Sequence, residues 1–320
     1  MDSFIQIDIY TSSQAIDGIT GALTEYGING FIIRDSADFE DFLADKNANW
    51  DYVDDELMGL KTVEPHITLY VHENAQGHET LAAIRGLVES YKANNSDGYY
   101  GNIRLALANV REEDWANNWK KYYKPFRVGK SLVIKPSWED VEPNDGDKIL
   151  EIDPASTFGT GQHHTTKMVM ETLEDTIKGG ERVLDLGCGS GILSIAALLL
   201  GAESAAICDI FENAVKTASE NLEKNDFASF KAYCGNIIED EKLRESIGGG
   251  YDVVCANIVA DVIIAMSPLF KGFIKDGGRL IVSGVIDERL GEVKTALSEN
   301  GWKEISSKTE EGWNCVLLGR

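Results

Sequence analysis

Basic residues are scarce in this chain of 320 residues: 30 lysines and arginines stand against 53 aspartates and glutamates, a formal net charge of −23 at pH 7. Nucleic-acid phosphates select for lysine and arginine, so we expect no direct binding to DNA or RNA. The acids are uneven, since residues 1–114 contain 21 acids and 7 bases, with a dense run over residues 35–56. This run is either a solvated surface that aids solubility or a landing surface for a basic partner.

Cysteine and histidine are also few, with five of each. The cysteines form no CxxC pair and lie in or beside apolar, strand-like runs. His163 and His164 are adjacent and would point in different directions from a helix. Neither pattern is typical of a metal site, so we expect no metal and reduced thiols.

Long hydrophobic runs are missing as well. The longest apolar stretch, residues 192–202, falls far short of the roughly 20 residues that a membrane helix needs. The first ten residues, MDSFIQIDIY, have an acid at position 2 and do not resemble a secretory signal. We therefore expect a soluble cytoplasmic protein without a membrane partner. With 43% hydrophobic residues, the chain can build about two domains.

The first of two strand and helix alternations covers residues 1–111. Strand patterns occur at residues 4–10, 30–34, 66–72 and 103–110, and helical patterns at residues 13–26 and 77–92. This strand-helix-strand series, repeated once, predicts a ferredoxin-like α+β domain. Residues 112–147 begin with the aromatic-rich segment EEDWANNWKKYYKPF and predict a linker helix and connecting strands. Two short strand-like runs, at residues 132–135 and 148–152, lead into the second domain.

The second alternation covers residues 148–320. Strands are predicted at residues 182–186, 204–209, 230–234, 251–257 and 279–283, and helices at residues 164–177, 191–200, 212–224, 260–274 and 288–300. Near-continuous apolar strands in such a series indicate an α/β, Rossmann-like, doubly wound sheet that is buried on both faces. Residues 302–308 and 313–318 predict a terminal antiparallel hairpin. That hairpin separates the methyltransferase version of this fold from the dehydrogenase version.

The segment VLDLGCGSGILSIAA (residues 183–197) contains a strand end, a tight turn and a helix start. Asp185 closes the strand, and Gly187, Gly189 and Gly191 follow at alternate positions. Glycines there let the backbone turn sharply and approach a ligand, which the free amides of the helix start then face. A dinucleotide fingerprint would need glycine where this chain has Ile192. The pattern is instead similar to motif I of class I methyltransferases, which bind S-adenosylmethionine. This similarity implies that Asp185, Gly187, Gly189 and Gly191 contact that cofactor.

Polar residues follow the next two strands. Asp209 ends the second strand, where a carboxylate in nucleotide-binding folds accepts hydrogen bonds from both ribose hydroxyls. The alternative is an acid that favours the dipole of the next helix. Asn236 follows the third strand, where we expect a polar contact to the adenine, although any surface turn can hold an asparagine.

Asn257 ends the fourth strand, in ANIVA. Strand ends at the carboxyl edge face the ligand crevice, and an amide both donates and accepts. Asn257 is therefore predicted to bind the cofactor and to orient an amine beside the sulfonium, with a plain turn as the alternative. Upstream, DPASTFGTGQHHTT (residues 153–166) suggests either a flexible loop before a helix cap or a lid over the cofactor that includes Phe158, Gly159 and Thr160.

DPASTFGTGQHHTT, LDLGCGSGILSIAALLLGA and ANIVA, in this order and spacing, resemble the bacterial ribosomal protein L11 methyltransferase family (PrmA). The preceding domain and EEDWANNWKKYYKPF are similar to that family too. The resemblance implies transfer of methyl groups from S-adenosylmethionine to lysine side chains and the N-terminal amine of ribosomal protein L11, which the N-terminal domain recognises. It also implies cofactor contacts at Thr166, Gly187, Asp209 and Asn257. The chain departs from the family's usual residues at Gln162 and at Ile210-Phe211-Glu212.

Three other functions stay open at this point. A class I methyltransferase acting on another protein or a small-molecule amine is one; a nicotinamide oxidoreductase, disfavoured by Ile192 and the hairpin, is another. The third is a non-catalytic ribosome-binding module, disfavoured by the intact Asp209 and Asn257.

The chemistry of an amine acceptor raises a further question, because a lysine of pKa about 10.4 must lose a proton before it attacks. Either His163 is the general base, or it braces the loop ahead of the helix. In the second case the sulfonium charge and burial favour the neutral amine, and the proton leaves to water. We favour this second hypothesis.

Overall fold

The computed structural model describes residues 4–25, 28, 30–36, 63–108, 124–153 and 161–320. The chain divides into two compact units, Met1–Trp119 and Lys120–Arg320. The predicted connecting strands within residues 112–147 fall in the second unit, while the three-part division itself stays a prediction. Across these described ranges, no helix is both long enough and apolar enough to cross a membrane.

The first unit has four strands and two α-helices in its described part: β1 (Phe4–Tyr10), α1 (Ile16–Glu25), β2 (Ile32–Arg34), β3 (His66–His72), α2 (Ala75–Ala93) and β4 (Arg104–Ala108). The strand order is β2-β3-β1-β4, and every neighbouring pair is antiparallel. β1 and β2 are therefore parallel to each other with β3 between them. This is the split βαβ arrangement of the ferredoxin-like fold, as predicted.

The core of this unit follows from the two-residue period of its strands. Buried residues pair across the ladder, Ile5 with Val71, Ile7 with Leu69 and Ile9 with Ile67. Ile19 of α1 and Leu81 of α2 belong to the same buried cluster. Both helices thus cover the face of the sheet onto which alternate strand residues point.

The second unit begins with a small sheet of β5 (Phe126–Val128), β6 (Leu132–Lys135) and β7 (Lys148–Glu151), in the order β5-β6-β7. β5 is antiparallel to β6, and β6 is parallel to β7. The sequence predicted β6 and β7 but missed β5, because three residues between Pro125 and the turn at Gly129 carry too short a pattern.

The large sheet contains seven strands, β8 (Arg182–Leu186), β9 (Ser204–Asp209), β10 (Phe230–Cys234), β11 (Tyr251–Asn257), β12 (Ile274–Ile286), β13 (Lys303–Glu310) and β14 (Trp313–Gly319). Their order is β10-β9-β8-β11-β12-β14-β13. β8 to β12 pair in parallel, whereas β14 is antiparallel to both of its neighbours. The doubly wound sheet and its terminal antiparallel hairpin are confirmed.

The helices of this unit are α3 (His164–Thr176), α4 (Ile192–Leu200), α5 (Glu212–Lys224), α6 (Glu241–Ile247), α7 (Ala260–Met266), α8 (Phe270–Phe273) and α9 (Asp287–Glu299). The prediction of one helix over residues 260–274 was wrong. Pro268 has no amide hydrogen to donate, so α7 ends just before it, and a short α8 follows. α6 was not predicted from the sequence; its seven residues start after the capping side chain of Asp240.

Candidate functional site

β8 runs into α4 through residues 187–191, which we call the glycine loop. Its three glycines all have a positive φ, at 74°, 52° and 80°. The amide of Gly187 donates to the carbonyl of Cys208 in β9 at 2.8 Å. A Cβ at Gly187 would lie only 2.3 Å from Cγ2 of Ile258. Only glycine therefore fits this turn between the ends of two neighbouring strands.

Gly191 has a packing reason for being glycine. It is buried, and a Cβ there would lie 2.9 Å from Cβ of Ala218 and 3.1 Å from its Cα. Close approach of α5 to the loop therefore requires glycine. Gly187 and Gly189 are partly exposed, so these two can present backbone to a ligand, and the predicted cofactor contact of Gly191 stays a prediction.

Asp185 lies inside the protein, fully buried at the end of β8. Its Oδ2 accepts a hydrogen bond from Ser194 Oγ of α4 at 3.0 Å, and Oδ1 has no hydrogen-bond partner in the described part of the chain. Burial raises the pKa of this carboxyl to about 7, and the nearby Asp209 adds to the rise. The side chain thus ties the loop to α4, while its predicted cofactor contact stays a prediction.

Asp209 joins the end of β9 to the glycine loop. Its Oδ2 accepts from the amide of Gly189 and its Oδ1 from the amide of Phe211, both at 3.0 Å. The residue is 8% exposed, and burial raises its pKa against the effect of these backbone bonds. Each carboxylate oxygen has a further lone pair, so the geometry suits an acceptor for hydroxyl groups beside the loop.

Two large apolar side chains follow Asp209 at the departure from the family pattern. Ile210 is 53% exposed and Phe211 is 43% exposed, and Ile238 after β10 is 37% exposed. The amide of Gly235 donates to the carbonyl of Asp209 at 2.9 Å, which brings the ends of β9 and β10 together. Ile210 and Phe211 thus supply apolar surface next to the acid.

Asn236 forms a turn with its own side chain. Its Oδ1 accepts from the amide of Ile238 at 3.0 Å, and its carbonyl accepts from the amides of Glu239 and Asp240. This geometry favours the turn that the sequence analysis held as the alternative. Contact with adenine at this residue stays a prediction.

Asn257 and Thr166 meet beside the glycine loop. Nδ2 of Asn257 donates to Thr166 Oγ1 at 3.3 Å, and Oδ1 of Asn257 is buried without a partner among the described residues. Thr166 is 1% exposed. An unsatisfied buried oxygen costs about 1–3 kcal/mol, so this position suits a donor that comes from a ligand. That fits a nucleoside cofactor or acceptor carrying an amine.

His163 is buried and caps α3. Its Nδ1 accepts from the amide of Thr165 at 3.3 Å and lies 2.8 Å from Thr165 Oγ1. Burial, with smaller contributions from His164 and Lys167, lowers its pKa to about 4. A base this weak accepts a proton poorly near neutral pH, which supports the bracing role.

The predicted residues Phe158, Gly159 and Thr160 lie outside the described residues. On either side of them, Asp153 accepts from the amide and hydroxyl of Ser137, and a Cβ added at Gly161 would lie 2.6 Å from Cδ1 of Ile192.

All five cysteines are free, four of them buried and Cys234 exposed. The described residues contain no group of three or more His, Cys, Asp or Glu side chains that could hold a metal ion.

Asn221 of α5 is a site residue that the sequence analysis missed. Its Nδ2 donates to the carbonyl of Ser190 in the glycine loop at 2.9 Å, and it is 1% exposed. The available signal was the spacing of Asn221 and Asn225, which places two amides on one face of a polar helix.

Comparison with known proteins agrees with this geometry. A profile of the family described as ribosomal protein L11 methyltransferase (PrmA) matches residues 3–320. The ribosomal protein L11 methyltransferase of Caldanaerobacter subterraneus subsp. tengcongensis is 35% identical over 315 residues, with 98% of both chains covered. That of Alkaliphilus metalliredigens is 36% identical over 318 residues, covering 98% of this chain and 96% of the relative. A crystal structure of ribosomal protein L11 methylase from Lactobacillus delbrueckii subsp. bulgaricus has a TM-score of 0.57 and 29% identity over 62% of this chain and 99% of that chain. The chain therefore belongs to the ribosomal protein L11 methyltransferase family and is an S-adenosylmethionine-dependent methyltransferase.

Proposed function

We propose that the protein transfers methyl groups from S-adenosylmethionine to lysine side chains and the N-terminal amine of ribosomal protein L11. The assignment of the acceptor rests on the similarity to the relatives. That similarity extends over 98% of this chain and so includes the N-terminal unit. A catalytic fold alone says little about its acceptor. We assign recognition of the ribosomal protein to residues 1–111 and place the enzyme in the cytoplasm, where ribosomal proteins are made.

Different residues around the glycine loop make different kinds of contact with the cofactor. Gly187 and Gly189 offer partly exposed backbone, and Asp209 offers two carboxylate oxygens for hydroxyl groups. Ile210 and Phe211 supply exposed apolar surface beside that acid. When bound, S-adenosylmethionine supplies a methyl group on a positively charged sulfonium, which an amine attacks with its lone pair.

Asn257 orients that amine. With Nδ2 held by Thr166, the amide keeps Oδ1 as a fixed acceptor for an N–H of the acceptor amine. Fixing one N–H restricts where the lone pair points, and such orientation accounts for much of the rate of a bimolecular step.

No general base is needed in this proposal. His163 has a pKa near 4 and uses Nδ1 to cap α3, while Asp185 is fully buried against Ser194. Burial and the positive sulfonium both favour the neutral amine, so its proton leaves to water before the transfer.

Mass spectrometry of intact ribosomal protein L11, after incubation with the enzyme and S-adenosylmethionine, tests the proposal. We expect added methyl groups at lysines and at the N-terminus. Deletion of residues 1–111 should abolish this methylation while cofactor binding persists, and raised salt should slow association of the full-length enzyme with its basic substrate. A wild-type enzyme that binds cofactor but leaves the ribosomal protein unmodified would instead indicate another protein or small-molecule amine as acceptor.

A further inference from the structure

Two asparagines lie one turn apart at the end of α5 and bond to different partners. Asn225 accepts from the amide of Glu151 at 2.9 Å and donates to the carbonyl of Glu151 at 2.6 Å, so it extends the edge of β7. Asn221 accepts from the amide of Asp153 at 3.3 Å but donates to the carbonyl of Ser190 at 2.9 Å. Of this pair, Asn221 is the one that reaches the glycine loop.

We infer that Asn221 is a positioning residue for S-adenosylmethionine, which acts by holding the glycine loop in its binding shape. Its side chain is 1% exposed, and Ser190 is fully buried. Its Oδ1 and Nδ2 are already bonded to the amide of Asp153 and the carbonyl of Ser190, so its effect on the ligand passes through the loop backbone. The inference rests on cofactor binding and is independent of which amine is methylated.

The packing around Asn221 explains why one amide has this influence. Ala218, one turn earlier on α5, sits where a side chain on Gly191 would otherwise lie. The contact at Gly191 sets how closely the loop and the helix approach, and the bond from Asn221 to Ser190 fixes the peptide just before it. The amide of Gly189, the residue before Ser190, donates a hydrogen bond to Asp209. The loop is thus held at successive residues by groups from outside it.

A loop held in this way loses little conformational freedom when a ligand binds. Ordering a loop on binding weakens affinity, so a loop that is already ordered binds more tightly. Removal of the Asn221 donor also leaves a buried carbonyl without its partner. We therefore expect weaker cofactor binding when this bond is lost, with little change in the methyl-transfer rate at saturating cofactor.

The substitutions Asn221→Asp and Asn225→Asp form a matched pair for the test. Each replaces one side-chain nitrogen by oxygen and keeps the Oδ1 acceptor for a backbone amide. Calorimetry with S-adenosylmethionine should show about tenfold weaker binding for Asn221→Asp and less than twofold for Asn225→Asp, while thermal unfolding reports both stabilities. Equal affinity of a folded Asn221→Asp and the wild type, or equal weakening by both variants, overturns the inference.

A measurement on the wild-type protein covers the case in which Asn221→Asp does not fold. Saturation with S-adenosylmethionine should slow hydrogen exchange of the Asn221 side-chain amide severalfold, because the loop that it holds becomes less free to open. The Asn225 side-chain amide should change little. Identical behaviour of the two amides on cofactor addition contradicts the inference, whereas a wild type that does not bind the cofactor contradicts the function itself.

Discussion

The indole ring of Trp313 stands edge-on to the imidazole ring of His163, with the ring centroids 4.8 Å apart. Trp313 is the first residue of β14, and His163 caps α3. Lys308 of β13 adds an ion pair with Glu171 of the same helix at 2.8 Å. The terminal hairpin therefore contacts α3 at its start and again two turns later. It thereby supports Thr166, which lies in the first turn and holds Asn257.

Replacement of Asp209 by alanine should weaken S-adenosylmethionine binding by roughly 1–3 kcal/mol, because the Gly189 amide and the ribose hydroxyls of the proposed contact all lose a charged acceptor. Calorimetry measures the change. Asp252 provides the control. Its carboxylate accepts from the amide of Arg182 at 3.0 Å, at the amino ends of β8 and β11, whereas the glycine loop follows the carboxyl end of β8. Asp252→Ala should leave affinity unchanged, and an unaffected, folded Asp209→Ala would remove this acid from the site.

Thr166 and Asn257 should affect the reaction rate much more than cofactor affinity. Thr166→Val keeps the shape but removes the acceptor for Nδ2 of Asn257, so the amide can rotate and the amine is held less well. We expect a fall in kcat of about tenfold or more for Thr166→Val, recovery in Thr166→Ser, and a larger loss for Asn257→Ala.

Thr172 supplies the matched control for this pair. It is another buried threonine on α3, and its hydroxyl donates to the carbonyl of Met168 at 2.7 Å without touching Asn257. Thr172→Val should keep both kcat and affinity. A Thr166→Val variant whose kcat matches that of Thr172→Val would show that Thr166 does not position the amide.

The buried Asp185 should make the protein less stable at alkaline pH. Its pKa in the folded state, about 7, is above its ordinary value of 3.8, so the folded protein binds this proton more tightly. The resulting stability is present below pH 3.8 and lost as the pH rises through 7. Asp185→Asn, which is neutral throughout, should raise the free energy of unfolding at pH 8 by roughly 4 kcal/mol, with little gain at pH 4.

Urea unfolding of the cofactor-free protein at both pH values measures this difference. Asp240→Asn is the control, because Asp240 caps α6 from an exposed position. Its effect should be small and similar at pH 4 and pH 8. If Asp185→Asn behaves in the same way, the carboxyl does not titrate in the range that its burial implies.

The parts of this molecule that could be predicted are those that a short stretch of sequence specifies. Apolar runs such as residues 182–186 specify buried parallel strands, and alternating glycines specify the turn after them. The bond from Asn221 to Ser190 joins residues 31 positions apart and depends on how α5 packs, so no local pattern announces it. The bond from Ser194 to Asp185 and the full burial of that carboxyl likewise depend on how α4 packs against β8, which the motif does not specify.

The pH dependence of methylation separates the two mechanisms for the amine. His163 has a folded pKa of about 4, so it is already neutral at pH 6 and gains no further basic form above that pH. A lysine of pKa about 10.4, by contrast, becomes tenfold more neutral with each pH unit up to that value. The single-turnover rate at a lysine site should therefore keep rising well beyond pH 7.5.

Two substitutions of His163 test this account while separating the cap from any role as a base. His163→Asn keeps a side chain that can cap α3, and His163→Ala loses the cap together with the contact to Trp313. Both variants should retain the shape of the wild-type pH profile, with a lower overall rate in His163→Ala because Thr166 is held less firmly. Rapid-quench measurements from pH 6 to pH 9.5 provide the profiles. A wild-type rate that levels off near pH 6.5 to 7, with the inflection lost in both variants, would instead make His163 the general base. In that event the mechanism without a base would be wrong. The proton whose removal limits the reaction would then pass to His163 and not to solvent.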